Sequence, residues 1–372
     1  MTRRLTVLQL LPALESGGVE RSTVEITQAL VAAGHRALVV SAGGRLVPAI
    51  TDAGGEHIAL AIGAKSPLTL RHVLPLRRLI QREGVDIVHA RSRLPAWLGL
   101  WAIRSLPEAR RPRFLTTMHG LNSPSRYSAV MAHGERVICV SQTVREYLLR
   151  HYPATDPGKL RVIPRGIDPA GFPPAPQPDP AMRARVAGEH PQLAGDGPLL
   201  LLPGRGTRLK GHADALQLLH ALRQGGLDAR LWMPGAREAG REAYLDELQA
   251  QATALDCADA LAMTAPTSAI AQAYAASDLV LQLSRKPEAF GRTVIEALSV
   301  GRPVLGWSHG GVGELLRELQ PQGAVTPFHA DALASAAMSL LHQRPLATAT
   351  MPYTLQAMQK ATLSVYDELA PR

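Results

Sequence analysis

The segment PLLLLPGRGTRLKGH, Pro198–His212, holds four consecutive leucines, then Gly204, Arg205 and Gly206, then Lys210 and Gly211. A short apolar run that stops at a glycine-rich turn reads as a strand covered on both faces, because a half-exposed strand would alternate. The rhythm recurs in both directions along the chain. Before it stand LTVLQLL, ALVVSAG, HIALAI, DIVHARS, RFLTTMHG, RVICVSQ and LRVIPRG, each followed by an amphipathic or Gly/Pro-punctuated segment; after it come ARLWMPG, ALAMTAP, DLVLQLS and PVLGWSHG. Strands alternating with helices predict doubly wound parallel sheets. The two series are separated by the weakly patterned, proline-rich DPAGFPPAPQPDPAM, Asp168–Met182. Two Rossmann-like α/β domains are therefore expected, over residues 1–170 and 196–350, with a linker over 171–195 and a final helix over 351–372. A length of 372 residues agrees, since a single core stops growing at about 250–300 residues.

The chain carries 40 Lys and Arg against 31 Asp and Glu, and the excess belongs to the first half: residues 1–165 hold 23 cations and 11 acids, the remainder 17 and 20. A net +12 followed by −3 predicts an anionic partner for the N-terminal half, namely nucleic acid, an anionic membrane surface or a phosphorylated substrate, beside the plainer reading of a solubilising charge. Aromatics at 4%, with no stacking platform and no helix-turn-helix or RNA-binding signature, argue against nucleic acid. No apolar run reaches the ~18 residues of a membrane span, and the N-terminal apolar stretch is too short for a signal peptide, so a cytoplasmic protein is expected. The segment RHVLPLRRLIQR, Arg71–Arg82, has one apolar and one cationic face. That pattern suits peripheral contact with an anionic inner membrane and equally suits a helix packed on its own sheet. Cys139 and Cys257 lie far apart in apolar or helical contexts, which supports neither a disulfide framework nor a metal site.

Ligands of open α/β sheets sit beyond the carboxyl ends of the strands, so the chemistry is sought there. After LLLL, glycines let the backbone approach a phosphate, while Arg205 and Lys210 can straddle a diphosphate as a fork and a point charge. A Walker A loop is excluded because His212 and Ala213 stand where Lys and Ser/Thr belong, and the dinucleotide fingerprint fails at Leu209. A glycine-rich turn with solvated cations is the plainer alternative. The stretch KPEAFGRTVIEA, Lys286–Ala297, places Glu288 in a loop and Glu296 in the second turn of a helix beginning near Gly291. The helix amides favour an anion, and a carboxylate accepting from two vicinal hydroxyls is what ribose recognition requires. Glu288 at the helix mouth would then meet hydroxyls beyond the diphosphate; a capping acid plus a surface acid is the competing account. A further glycine-rich turn, SHGGVGELL, carries Glu314.

Taken together, PEAFGRTVIEALSVGRPV, PGRGTRLKG, VIPRGID and the N-terminal ESGGVERS resemble, in order and spacing over essentially the whole chain, the retaining, metal-independent glycosyltransferases of family four. That family has the GT-B fold, two Rossmann-like domains facing across a cleft. The resemblance implies a nucleotide-sugar substrate held by Gly17 and Gly18 of the first loop and by Gly204, Arg205, Lys210, Glu288, Ala289, Phe290, Gly291, Arg292, Thr293 and Glu296. Arg205, Lys210, Glu288 and His119 are implied as catalytic, with Glu288 on the donor sugar, Glu296 on the ribose and the two cations on the diphosphate. At strand ends of the first half, Arg91 and Arg93 of VHARSR and Asn122 and Arg126 of HGLNSPSRY are, with Glu20, the expected acceptor residues.

No Asp-x-Asp occurs in the chain, so a carboxylate pair to hold a divalent ion on a diphosphate is missing, and neither metal nor other cofactor is expected. The family implies retention by front-face attack, the leaving phosphate helping to deprotonate the acceptor. Similar proteins with HARSR and PRGID segments build bacterial cell-envelope glycans. The expected reaction is transfer from a UDP-sugar, ahead of GDP-mannose and ADP-heptose, to a lipid-linked or polyanionic acceptor such as lipopolysaccharide core. A sugar-nucleotide epimerase, a glycogen-type phosphorylase and a non-enzymatic basic module for nucleic acid or membrane are the competing classes.

Overall fold

Runs such as TVLQL and LVVS form strands because helices cover both of their faces, so successive side chains are buried on opposite sides. The computed structural model describes residues 3–15, 17–175, 177–343 and 351–370. The chain divides into one unit that ends at Arg165 and takes in the chain from Leu355, and a second unit, Gly166–Thr354.

The first unit contains β1 (Thr6–Leu10), β2 (Arg36–Ser41), β3 (Glu56–Ala59), β4 (Ile87–Ala90), β5 (Arg113–Met118), β6 (Arg136–Cys139) and β7 (Leu160–Val162), in the order β3-β2-β1-β4-β5-β6-β7. The second contains β8 (Leu199–Leu201), β9 (Arg230–Pro234), β10 (Leu261–Thr264), β11 (Leu279–Gln282), β12 (Val304–Trp307) and β13 (Ala324–Val325), in the order β10-β9-β8-β11-β12-β13. Every pairing is parallel. The winding reverses between β1 and β4 and again between β8 and β11, and such reversals open the crevices where ligands of doubly wound sheets bind. The loops leaving β1, β4, β8 and β11 carry Gly17, Arg91, Arg205 and Glu288.

In the first unit β1 sends Val7 to one core and Leu8 and Leu10 to the other. On Val7's side, Ile26 and Leu30 of the helix Gly18–Ala32 meet Met358, Val365 and Tyr366 of the helix Leu355–Leu369. That last helix, expected as a separate terminal segment, is thus part of the first unit. Glu368 ties it down through Arg136 at 2.8 Å and Arg161 at 2.9 Å. The helix expected over 351–372 extends past the described residues at 371–372.

Apart from residue 176, which lies outside the described residues, the linker expected over 171–195 is instead ordered structure of the second unit. Asp179 accepts from the amides of Ala181 (2.9 Å) and Met182 (3.2 Å), and Pro180 starts the helix Pro180–Glu189 where no amide is missed. The helix packs on Ile270–Ala276 and buries Val186. Arg302, 2% exposed, donates to the main-chain oxygens of Ala175 and Gln177. One buried apolar residue in a ten-residue helix is too weak a period to read in sequence. The two-residue β13 escapes for the same reason. Cys139 and Cys257 are buried and free, and no helix among the described residues is long and apolar enough to cross a membrane.

Candidate functional site

At the reversal between β8 and β11, three loops lie together. A Cβ on Gly206 would sit 2.1 Å from the carbonyl oxygen of Ala236, and one on Gly211, at φ +77°, 2.1 Å from that of Leu283. These two glycines let protein backbone approach protein backbone, whereas the atoms nearest the missing side chain of Gly204 belong to the stem of Lys210, at 3.5 Å. Arg205 is exposed and makes no side-chain hydrogen bond or ion pair among the described residues. Lys210 Nζ lies 2.5 Å from Glu288 Oε1, to which Ser284 Oγ also donates at 2.5 Å. The two members of this pair are 29% and 26% exposed, and an ion pair open to water contributes about 1 kcal/mol or less. A diphosphate, carrying more charge than one carboxylate, can therefore draw Lys210 away at small cost.

The turn SHGG braces Glu288 from behind. Gly311 N donates to Glu288 O at 2.8 Å, and a Cβ on Gly310, at φ +59°, would stand 2.6 Å from the same oxygen. His309 Nε2 donates to Ser284 O at 2.8 Å. Glu314 follows, half-buried, on the helix Gly310–Leu319.

Gly291, at φ +109°, stands at the N-cap of the helix Arg292–Val300 and brings no side chain to its first-turn amides. Glu296 is 8% exposed; Tyr274 donates to its Oε2 at 2.9 Å and Arg292 Nε lies 3.1 Å from its Oε1. Burial, then the neighbouring Glu296 charge, pushes the Tyr274 phenol well above its ordinary range, so it stays a donor. Phe290 buries its ring against Tyr353 at 5.8 Å, leaving its main chain as its contribution to a ligand, while Ala289 and Thr293 are half-buried. His212, fully buried, donates from Nδ1 to Thr207 O at 3.3 Å; burial lowers its pKa to about 4 and its Nε2 has no partner.

The reversal between β1 and β4 collects cations. Arg91, 3% exposed, donates from Nε to Gln9 Oε1 (2.9 Å) and from Nη1 to Ser22 Oγ (3.2 Å). Arg165 of VIPRGID donates to the same Ser22 hydroxyl and to Nδ1 of His119. A guanidinium only donates, so Nδ1 of His119 must carry the lone pair and Nε2 the proton. Burial, then Arg165 and Arg91, holds the His119 pKa well below the ordinary histidine range, and the ring is neutral at neutral pH.

The remaining expected residues divide. Glu20 folds back to accept from the amide of Gly17, capping its own helix, while Gly18 opens onto free space. Arg93 bonds Ser128 at 3.1 Å and covers the Tyr127 ring at 5.2 Å. Asn122 is half-buried with its carbonyl accepting from Tyr147, and Arg126 is exposed without an ion pair among the described residues. Sequence reading leaves out Arg165, although it stands inside a recognised motif, and Tyr274, whose helix carries no motif at all.

Residues 16–170 match the family model of Glycosyltransferase Family 4, and residues 189–356 that of Glycosyl transferases group 1. A D-inositol 3-phosphate glycosyltransferase of Actinosynnema mirum is 31% identical over 269 residues, which cover 70% of this chain and 60% of that protein. The chain thus spans about three fifths of that curated relative. The crystal structure of a glycosyltransferase from Rickettsia africae matches with a TM-score of 0.85 at 28% identity, over 98% of each chain. Anabaena HepE in complex with UDP-glucose matches with a TM-score of 0.80 at 19% identity, over 98% of this chain and 100% of that one, and so shares the fold.

Proposed function

The chain belongs to the group 1 glycosyltransferases of the GT-B fold, and from that premise we propose that it moves a sugar, with retention and without a metal, from a nucleoside diphosphate to a phosphorylated or lipid-linked glycan. The observation that carries the reading is the gathering of Arg205, Lys210, Glu288 and Glu296 at one sheet reversal, with Lys210 held by a pair it can give up.

Arg205, Lys210 and the first-turn amides of Arg292–Val300 take the charge that develops on the leaving diphosphate. Glu288 then accepts from hydroxyls of the transferred sugar, and Glu296 from the ribose. The bond from the anomeric carbon to the diphosphate oxygen breaks, a bond to the acceptor oxygen forms on the same face, and the acceptor proton passes to the leaving phosphate. His119, neutral with its proton on Nε2, is a hydrogen-bond donor to the reacting sugar rather than a cation. The net +12 of residues 1–165 suits an anionic acceptor, as does the inositol phosphate in the relative's name. A cell-envelope glycan such as lipopolysaccharide core, reached from the cytoplasmic face of the inner membrane, is the acceptor of this reading, and a UDP-sugar its donor.

Thermal unfolding with UDP, GDP or ADP in the presence of EDTA tests it, since a ligand at 100 times its Kd adds ~2.7 kcal/mol of stability. One nucleotide should raise the midpoint without metal and so name the donor class. If none does, the donor site is misread; if one does so only with added magnesium, the metal-free mechanism falls.

A further inference from the structure

Among the described residues, three of the large apolar side chains most open to solvent fall within one seven-residue span: Leu68 at 70%, Leu70 at 50% and Leu74 at 57% exposure. They are not the apolar face read from the sequence. The helix Val73–Arg82 spends that face, Leu76, Leu79 and Ile80, on its own core, where it packs against the helix Arg93–Arg104. The exposed leucines belong chiefly to the 3-10 turn Pro67–His72 just before it. This turn is anchored: Thr69, 3% exposed, donates to Ala64 O at 2.7 Å, and Ser66 Oγ accepts from the amide of Leu68. Holding Thr69 inward turns its neighbours Leu68 and Leu70 outward.

The charge around them is of one sign. Residues 57–82 contain no Asp or Glu, and Lys65, Arg71, Arg78 and Arg82 are exposed. The facing helix Arg93–Arg104 also lacks an acid and exposes Trp101 at its surface. The next acid, Glu83, is held by Arg82 at 2.6 Å and Arg36 at 2.9 Å. A second copy of this chain would set these cations against themselves, whereas an anionic bilayer offers phosphates for the cations and an acyl boundary for the leucines.

We propose that the Pro67–His72 turn and Leu74 form a docking surface for anionic lipid, with Leu68, Leu70 and Leu74 entering the interface and Lys65, Arg71 and Arg78 meeting the headgroups. This deepens the lipid-linked acceptor reading above, and its test needs no nucleotide, so either can fail alone. The full chain is sedimented with vesicles of phosphatidylcholine and with vesicles of phosphatidylcholine and phosphatidylglycerol, at low and high salt. Binding is expected only with phosphatidylglycerol and should weaken with salt. The variant Leu68→Ser/Leu70→Ser/Leu74→Ser should lose at least about tenfold in vesicle affinity, as removal of three inserting leucines requires, while keeping the wild-type melting midpoint. Arg71→Glu/Arg78→Glu should remove the preference for phosphatidylglycerol. Wild-type indifference to both vesicles, unchanged binding by the leucine variant, or a wild-type dimer that this variant makes monomeric would each overturn the proposal.

Discussion

The two sheet reversals handle charge in opposite ways. Between β8 and β11 the charged groups other than the exposed Arg205 meet opposite charge: Lys210 rests on Glu288, and Arg292 on Glu296. Between β1 and β4, Arg91 and Arg165 converge on the uncharged Ser22, Gln9 and His119, and the histidine yields its proton to accommodate them. A site of the first kind exchanges one anion for another at little cost, because its cation is already neutralised. A site of the second kind hydrogen-bonds its guanidiniums to neutral partners in a poorly solvated place, with Glu25 an acid whose charge acts on Arg91, and an arriving phosphate or carboxylate gains from that cationic surplus. Release of a nucleotide product suits the first, and retention of an anionic acceptor the second.

The largest effect that would break this contrast is expected at Arg205. Arg205→Ala should lower the transfer rate by about 100- to 1000-fold, the usual scale for losing one preorganised charge partner of a leaving group, with the melting midpoint unchanged because the exposed Arg205 side chain makes no hydrogen bond or ion pair among the described residues. Rates measured with saturating donor decide it; a near-normal rate would remove Arg205 from the mechanism and leave the leaving-group charge to Lys210 and the helix amides.

Acid should act next, chiefly through buried rings. The pKa values of His89, His119 and His212 are all depressed by burial, so each ring is neutral in the folded protein while its unfolded counterpart protonates near 6.5. Stability is therefore fully present above pH 6.5 and falls as the pH drops below it; with a folded pKa of about 4, His212 accounts for ~3 kcal/mol of that loss by pH 4. Denaturant titrations between pH 8 and pH 4 read this slope, and a flat profile would mean that the rings are solvated and that the first unit does not hold its guanidiniums in a poorly solvated place.

The smallest effect sharpens the comparison within the second unit. Tyr274→Phe removes the donor that orients Glu296 and should weaken nucleoside diphosphate binding by about tenfold, the low end of the scale for one hydrogen bond to a charged group, while sparing binding of the 2′,3′-dideoxy analogue. An equal loss for both nucleotides, measured by calorimetry, would show that Tyr274 supports the fold of the loop rather than the carboxylate.

What was legible in the sequence was local. Strand positions such as LTVLQLL and DLVLQLS follow from apolar runs covered on both faces, and the loops carrying Arg205 and Glu288 follow from glycines at strand ends, because these depend on residues adjacent in the chain. Expectations failed where an outcome depended on distant partners. Within the proline-rich 171–195, Pro180–Glu189 became helix and Ala175 and Gln177 were braced because Arg302 and the helix Ile270–Ala276 receive them, and the last helix joined the first unit because its apolar stripe matches Ile26 and Leu30. Glu20 and Arg91 owe their hydrogen bonds to the same kind of partner: one caps the helix Gly18–Ala32 at the amide of Gly17, and the other donates to Ser22 of that helix.

The amino-acid sequence by itself determined two parallel sheets, the loops at their reversals and the charge each loop brings, since hydrophobic period and glycine placement act over a few residues. Only the tertiary structure decided which of those charges face each other, which are neutralised and which leucines stay outside, because Lys210 meets Glu288 across 78 residues of chain and Arg165 meets His119 across 46. Electrostatic energy depends on distance and burial in space, and neither is written in the order of the residues.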